Sequence, residues 1–152
     1  MDQDTQTHVG IKVVEARVLS YLASMGLTLD AADDGIYFFK YGSTVVTVSM
    51  FEVEGHSYVR IASTLLKDFE VSVELMNTIF QLNNQVLFGA FLLFEDKTIS
   101  FSATLLGENL DHNELTVTLK YVAKISDDYD DVLQELAGGK KASDILAEGG
   151  AL

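Results

Sequence analysis

The chain has 152 residues, a hydrophobic fraction of 48% with nine Phe and six Tyr, and a formal net charge of −13. This length fits one domain with a buried core, and the apolar content excludes disorder over most of the chain. The ten Lys and Arg are scattered, with Lys140-Lys141 as their only adjacent pair. The charge therefore argues against nucleic acid and anionic membrane surfaces as partners.

Disulfides and thiolate metal sites are excluded because the sequence contains no cysteine. The opening Met1-Asp2-Gln3-Asp4-Thr5 is polar and acidic, unlike a secretory or transit signal. No apolar run approaches the ~18 residues that a membrane helix needs. We therefore expect a cytoplasmic protein.

The first predicted helix runs from about Val9 to Met25, with Thr7 as its N-cap and Gly26 as its left-handed C-terminal residue. Its apolar residues recur at three- and four-residue spacing and form one stripe. The stripe contains Ile11, Val14, Val18, Leu22 and Met25.

Three β-rich segments follow, and their short Gly-containing connections are typical of an antiparallel meander. The predicted strands are Ile36 to Tyr41 before Gly42-Ser43, Thr44 to Val53 before Glu54-Gly55, and His56 to Leu66.

The second half of the chain predicts a helix, a hairpin and a long helix. The elements are a helix from about Val73 to Asn83 capped by Ser72, strands Val86 to Phe94 and Thr98 to Leu105 around Glu95-Asp96-Lys97, and a helix from Asp111 to Leu136. Asp111 and Glu114 have capping-box spacing, and Gly138-Gly139 ends the last helix.

The element order α-β-β-β-α-β-β-α indicates an α+β domain over residues 1–137, with helices packed on a five-stranded antiparallel sheet. We expect residues 138–152 to be a flexible C-terminal tail with one helical turn from Ser143 to Glu148.

The hairpin strand from Val86 to Phe94 is apolar on both faces, whereas Thr98 to Leu105 alternates. One face carries Val86, Phe88, Ala90, Leu92 and Phe94, and the other carries Leu87, Gly89, Phe91 and Leu93. A two-residue turn places the Phe88 set beside Ile99 and Phe101, and a three-residue turn places the Phe91 set there.

Because two-residue loops are the commonest, we expect Leu87, Phe91 and Leu93 to lie on a second face of the sheet. Apolar side chains on that face would form a partner-binding or dimer surface. The alternative is that an internal helix covers the face.

Known metal and catalytic patterns are missing from the sequence. Asp30-Ala31-Ala32-Asp33-Asp34-Gly35 lacks two calcium-loop ligands, and Asp127 to Asp131 lies inside a helical pattern. His8, His56 and His112 lack metal-ligand spacing. With no nucleophile elbow, Walker A or dinucleotide fingerprint, we expect no metal site, no cofactor, no catalytic residue and no enzyme activity.

The element order and four segments carry a family resemblance. They are Leu82-Asn83-Asn84, Phe88-Gly89, Ile99-Ser100-Phe101 and the closing run from Val122 to Leu133. Through these features, the chain from about Ile11 to Leu136 resembles the YbjN family. That family has the type III secretion chaperone-like fold. This resemblance implies a small acidic α+β protein, often dimeric, that binds protein or peptide segments.

Our first hypothesis is a non-enzymatic, chaperone-like or regulatory adaptor that forms a homodimer. It would hold an apolar partner segment with basic flanks, because the chain is acidic. The alternative is a small-ligand sensor or enzyme of cystatin-like architecture with an apolar pocket. A third hypothesis is a structural dimer in which the apolar face is used up between two copies.

Overall fold

The computed structural model describes residues 3–33, 35–41 and 44–150, with side chains from residue 10 onward. Its elements in chain order are α1 (Gln3–Ser24), β1 (Asp30–Asp33), β2 (Ile36–Tyr41), β3 (Thr44–Val53), β4 (His56–Lys67), α2 (Val73–Gln85), β5 (Ala90–Leu93), β6 (Thr98–Leu106), α3 (His112–Ala137), β7 (Lys140–Lys141) and α4 (Ala142–Ala147). The predicted α+β class is confirmed. The predicted turn at Gly42-Ser43 lies outside the described residues.

The sheet is antiparallel and has seven strands in the described part of the chain, so the expected five is wrong. The strand order is β1-β2-β3-β4-β6-β5, and β7 pairs with the end of β4. The two additional strands, β1 and β7, have no apolar alternation, and every residue of β1 is exposed. They join the sheet through backbone pairing, which a side-chain pattern does not report.

One face of the sheet carries the hydrophobic core, and we call it the helix face. Direct cross-strand partners share a face, and one such row is fully buried: Phe39, Val46, Ser63, Phe101 and Phe91. Helices α1 and α3 pack against β3 and β4 on this face, and α3 also packs against β6. We call the opposite side the outer face.

Helix boundaries follow local capping chemistry where the sequence provides it. Ser72 accepts a hydrogen bond from the Leu75 amide at 3.0 Å, which confirms the predicted N-cap of α2. The Asp111–Glu114 capping box of α3 is also confirmed. Helix α1 begins at Gln3, so Thr7 lies inside the helix and the predicted cap there is wrong.

The expected flexible tail differs from the structure over residues 138–150. Gly138 and Gly139 adopt left-handed φ values of 68° and 82°, which turn the chain back after α3. β7 then pairs with Leu66 and Lys67 of β4. Because α4 buries Ala142 and Ile145, the segment is part of the folded domain.

Candidate protein-binding surface

The hairpin turn decides which side chains of β5 face the core. The Phe94 amide donates to the Thr98 carbonyl at 2.9 Å, which leaves Glu95, Asp96 and Lys97 as a three-residue loop. Lys97 takes a left-handed φ of 64°, as the last residue of such loops does. The expected two-residue turn is therefore wrong.

The resulting register separates the three residues predicted to form a surface. Phe91 pairs with Phe101 and Leu93 pairs with Ile99, so both lie on the helix face. Phe91 is 2% exposed, and its ring contacts the rings of Phe101 and Tyr129 at centroid distances of 5.0 and 5.6 Å. Leu87 is 82% exposed but precedes the strand. Leu87, Phe91 and Leu93 therefore do not form one open face.

The strand begins only at Ala90 because the chain before it turns toward α3. Gly89 has a φ of 77°, and a Cβ there would lie 2.7 Å from the Ser102 carbonyl oxygen. The Leu87 amide donates to the Tyr121 hydroxyl at 2.8 Å, and the Phe88 ring lies 4.4 Å from the Tyr121 ring. These contacts hold the residues before Gly89 on α3 and shorten the predicted strand.

Helix α2 carries an exposed apolar row next to its buried side, which we call the α2 stripe. Val73, Met76 and Phe80 form this row at helical spacing, while the adjoining Leu75 and Ile79 are buried. Val73 is 78% exposed and Phe80 is 70% exposed. The stripe lies at the β5 edge of the sheet, because α2 packs against β5 and α3.

The outer face contains a second apolar feature, a groove of about 460 Å³ that we call the outer groove. It is lined by Ala32, Ile36, Phe38, Val45, Thr47, Leu146 and Gly150. Strands β2 and β3 form its floor, and Leu146 of α4 lies along it. Sequence reasoning missed the groove because one wall comes from the segment expected to be a tail.

Acidic groups lie at the end of the sheet where α3 meets the C-terminal segment. The Lys141 ammonium bonds to the Asp131 carboxylate and lies 4.0 Å from Asp130. The hydrogen bond to Asp131 is the main reason that the pKa of Lys141 is raised. Burial raises the pKa of Asp130, and this effect outweighs the opposing effect of Lys141. Asp131 is therefore the stronger anionic partner of Lys141.

A second charged contact fixes the loop after β6. The Glu108 carboxylate accepts from the Ser57 amide at 3.0 Å and lies 3.2 Å from Nδ1 of His56. The Ser57 bond is the main cause of the lowered pKa of Glu108. Arg17 donates to the Glu108 carbonyl at 2.7 Å. These hydrogen bonds connect α1 and the start of β4 to the loop after β6. We therefore interpret this charged cluster as structural.

Metal ligation and membrane insertion find no support in the part of the chain that the structure describes. No three His, Asp or Glu side chains within it converge on a point where an ion could bind. Asp30–Asp33 is an extended strand, and Asp34 of that acidic run is outside the described residues. Residues 3–33, 35–41 and 44–150 also contain no helix that is long and apolar enough to span a membrane.

Comparison with known proteins agrees with this arrangement of sheet and helices. A family model described as T3SS (YopN, CesT) and YbjN peptide-binding chaperone 1 matches residues 12–145. The chain belongs to this family, TY-Chap1. The resemblance to YbjN and secretion chaperones is thereby confirmed. No curated protein sequence matches the chain significantly.

Solved structures similar to this TY-Chap1 chain include three complexes. The ExsC–ExsE complex matches with a TM-score of 0.64 at 12% identity, over 81% of this chain and 95% of that one. The heterodimeric ExoU–SpcU complex from the type III secretion system of Pseudomonas aeruginosa matches with 0.60 at 12%, over 76% and 97%. The HopA1–SchA chaperone–effector complex matches with 0.60 at 10%, over 86% and 98%. At these identities the likeness shows the fold.

Proposed function

We propose that this protein is a non-enzymatic, peptide-binding chaperone or adaptor that holds an apolar segment of another protein on its outer face. Family membership supports the class of function. The outer groove is the observation that carries the location, because its lining includes the partly exposed Ile36 and Phe38 of β2, on the side away from α1 and α3. A short extended or helical segment would bury those side chains.

The partner segment should be apolar with basic flanks. Ile36 and Phe38 offer apolar contacts, and burying one Leu- or Phe-sized side chain stabilises a complex by roughly 1.5–3 kcal/mol. β1 adjoins the groove through Ala32 and carries the exposed Asp30. With a net charge of −13, the protein attracts basic flanks and speeds their encounter.

We further propose that the α2 stripe is the contact between two copies of the chain. Val73, Met76 and Phe80 would otherwise leave three large apolar side chains in water. Leu92 and Phe94 are exposed at the same edge and extend the apolar area. This placement leaves the outer groove outside the contact between the two copies.

A peptide array tests the binding proposal. Peptides that vary in apolar and basic content are probed with the wild type, with Phe38→Ser and with the matched control Lys40→Ser, which changes the same face of β2. We expect the wild type and Lys40→Ser to retain peptides that combine aliphatic and basic residues, and Phe38→Ser to lose them at least tenfold. Equal retention by folded Phe38→Ser would contradict the proposed location.

The dimer proposal has its own test, light scattering after size exclusion. Phe80→Glu should yield monomers, because a charge in a buried apolar contact is strongly unfavourable. Gln81→Glu adds the same charge beside the stripe and should remain dimeric. A monomeric wild type, or a dimeric Phe80→Glu, would overturn the assignment of the α2 stripe.

A further inference from the structure

The C-terminal segment already occupies part of the proposed binding face. After Gly139 the chain pairs with the end of β4 through Lys140 and Lys141. Lys141 reaches Asp130 and Asp131 on α3, and four residues later Ile145 is buried. Leu146 follows and lines the outer groove together with Phe38 and Val45. The segment therefore passes from α3, around the end of β3 and β4, to the outer face.

The chemistry of this segment matches the partner proposed above. Lys140-Lys141 is the only adjacent basic pair in the sequence, and it is followed after three residues by the aliphatic pair Ile145-Leu146. Lys141 faces carboxylates of α3, α4 packs against β3 and β4, and Leu146 lines the groove together with Phe38 of β2. The segment therefore combines the basic and aliphatic residues expected of a partner.

We propose that residues 140–146 are a built-in occupant of this surface, with Lys141 at the end of the sheet and Leu146 on the outer face, and that a partner segment of the same chemistry binds by displacing them. That partner segment has two basic residues followed, after three positions, by two adjacent aliphatic residues. The inference rests on the proposed function, since it specifies the occupant of the same face.

The segment is held by contacts that can be lost without disrupting the central sheet. β7 pairs only two residues with β4, and the N-cap residue of α4, Lys141, makes no side-chain capping bond. Within α4 only Ala142 and Ile145 are buried. The ion pair of Lys140 with Glu148, at 3.2 Å, is exposed and does not involve the rest of the domain. The pairing of β2, β3, β4 and β6 involves none of these residues.

A peptide-exchange measurement tests the proposal with a probe taken from the chain itself. A fluorescent peptide with the sequence of residues 138–150 is titrated into full-length wild type and full-length Ile145→Ser, and binding is followed by anisotropy. We expect at least tenfold tighter binding to Ile145→Ser, because its own α4 leaves the face. A peptide with both aliphatic residues replaced by Ser should bind neither protein.

Two further variants make the result decisive. Ala147→Ser changes an exposed position of α4 and should behave as wild type. Lys141→Glu repels Asp130 and Asp131 and should also admit the peptide. Equal affinity for wild type and Ile145→Ser, or unfolding of both Ile145→Ser and Lys141→Glu, would overturn the proposal.

The outcomes separate this inference from the proposed function. If the peptide fails to exchange while the array shows binding dependent on Phe38, the chaperone proposal stands and this occupant is wrong. If the peptide exchanges but no foreign sequence with the same residue pattern binds, the face serves only the chain's own segment. That second result would overturn both the inference and the proposed function.

Discussion

The side chain of Asn83 forms a two-point hydrogen bond with the backbone of Phe91. The Phe91 amide donates to Oδ1 of Asn83 at 2.7 Å, and Nδ2 of Asn83 donates to the Phe91 carbonyl at 3.1 Å. Because β5 is the last strand of the sheet, these backbone groups face away from β6. The amide of Asn83 therefore blocks an edge that could otherwise pair with another chain.

Replacing Asn83 should weaken the domain at this edge. Asn83→Ala leaves two backbone groups of Phe91 without their partners, which costs about 1–3 kcal/mol of unfolding free energy. Asn84→Ala changes an exposed neighbour and should cost less than about 0.5 kcal/mol. Urea unfolding of both variants measures the difference, and equal midpoints would show that the Asn83 contact contributes nothing.

Truncation of two neighbouring residues of β5 should destabilise the protein by very different amounts. Phe91→Ala removes a ring packed against Phe101 and Tyr129, at a cost of about 3–5 kcal/mol. Leu92→Ala on the outer face should cost less than about 1 kcal/mol. Thermal melts followed by circular dichroism test the register: similar losses for both variants would contradict the three-residue turn.

Gly89 and Gly26 form a matched pair for testing why β5 is short. Both have a left-handed φ, near 77° and 73°, so an alanine costs roughly 1–2 kcal/mol at either position. At Gly89 the added Cβ also meets the Ser102 carbonyl, whereas it meets nothing within 4 Å at Gly26. Gly89→Ala should therefore lower the melting temperature clearly more than Gly26→Ala. The reverse order would contradict the account of the turn toward α3.

The burial of Asp130 gives a pH-dependent prediction. Its raised pKa means that the folded protein binds this proton more tightly than the unfolded chain does. Ionised Asp130 therefore opposes folding at neutral pH, and the penalty disappears as the pH falls below the ordinary value of 3.8.

Substitution at this position and at its neighbour checks the sign. At pH 7, Asp130→Asn should be slightly more stable than wild type, and the difference should vanish in acid. Asp131→Asn loses the main anionic partner of Lys141 and should be slightly less stable at pH 7. Melting temperatures across pH 3–7 measure both differences. A destabilised Asp130→Asn at neutral pH would show that its pairing with Lys141 outweighs burial.

The fold was predictable where local chemistry determines it. Ser72, Asp111 and Glu114 cap helices as their positions in the sequence predict, and the apolar stripe of α3 marks its core side. The alternation of apolar and polar residues from Thr98 to Leu105 identified β6. These signals depend on residues close in sequence, so a single chain reveals them.

The candidate site was less predictable because it depends on small offsets and on backbone pairing. A left-handed Lys97 adds one residue to the turn and exchanges the faces of β5, which moves Phe91 into the core. A turn of two residues would have been equally compatible with the apolar run. Gly89 inside that run was the available signal that the strand starts late. The docking of α4 depends on distant contacts that no local pattern encodes.

Hydrogen exchange of the wild-type protein, with and without a peptide selected on the array, tests the central claim most directly. We predict that the peptide slows exchange in β2 and β3, which form the floor of the outer groove, while exchange in α4 becomes faster as it is displaced. Exchange in α2 should not change. Protection confined to α2 and β5, or no protection in β2 and β3 at saturating peptide, would contradict binding on the outer face.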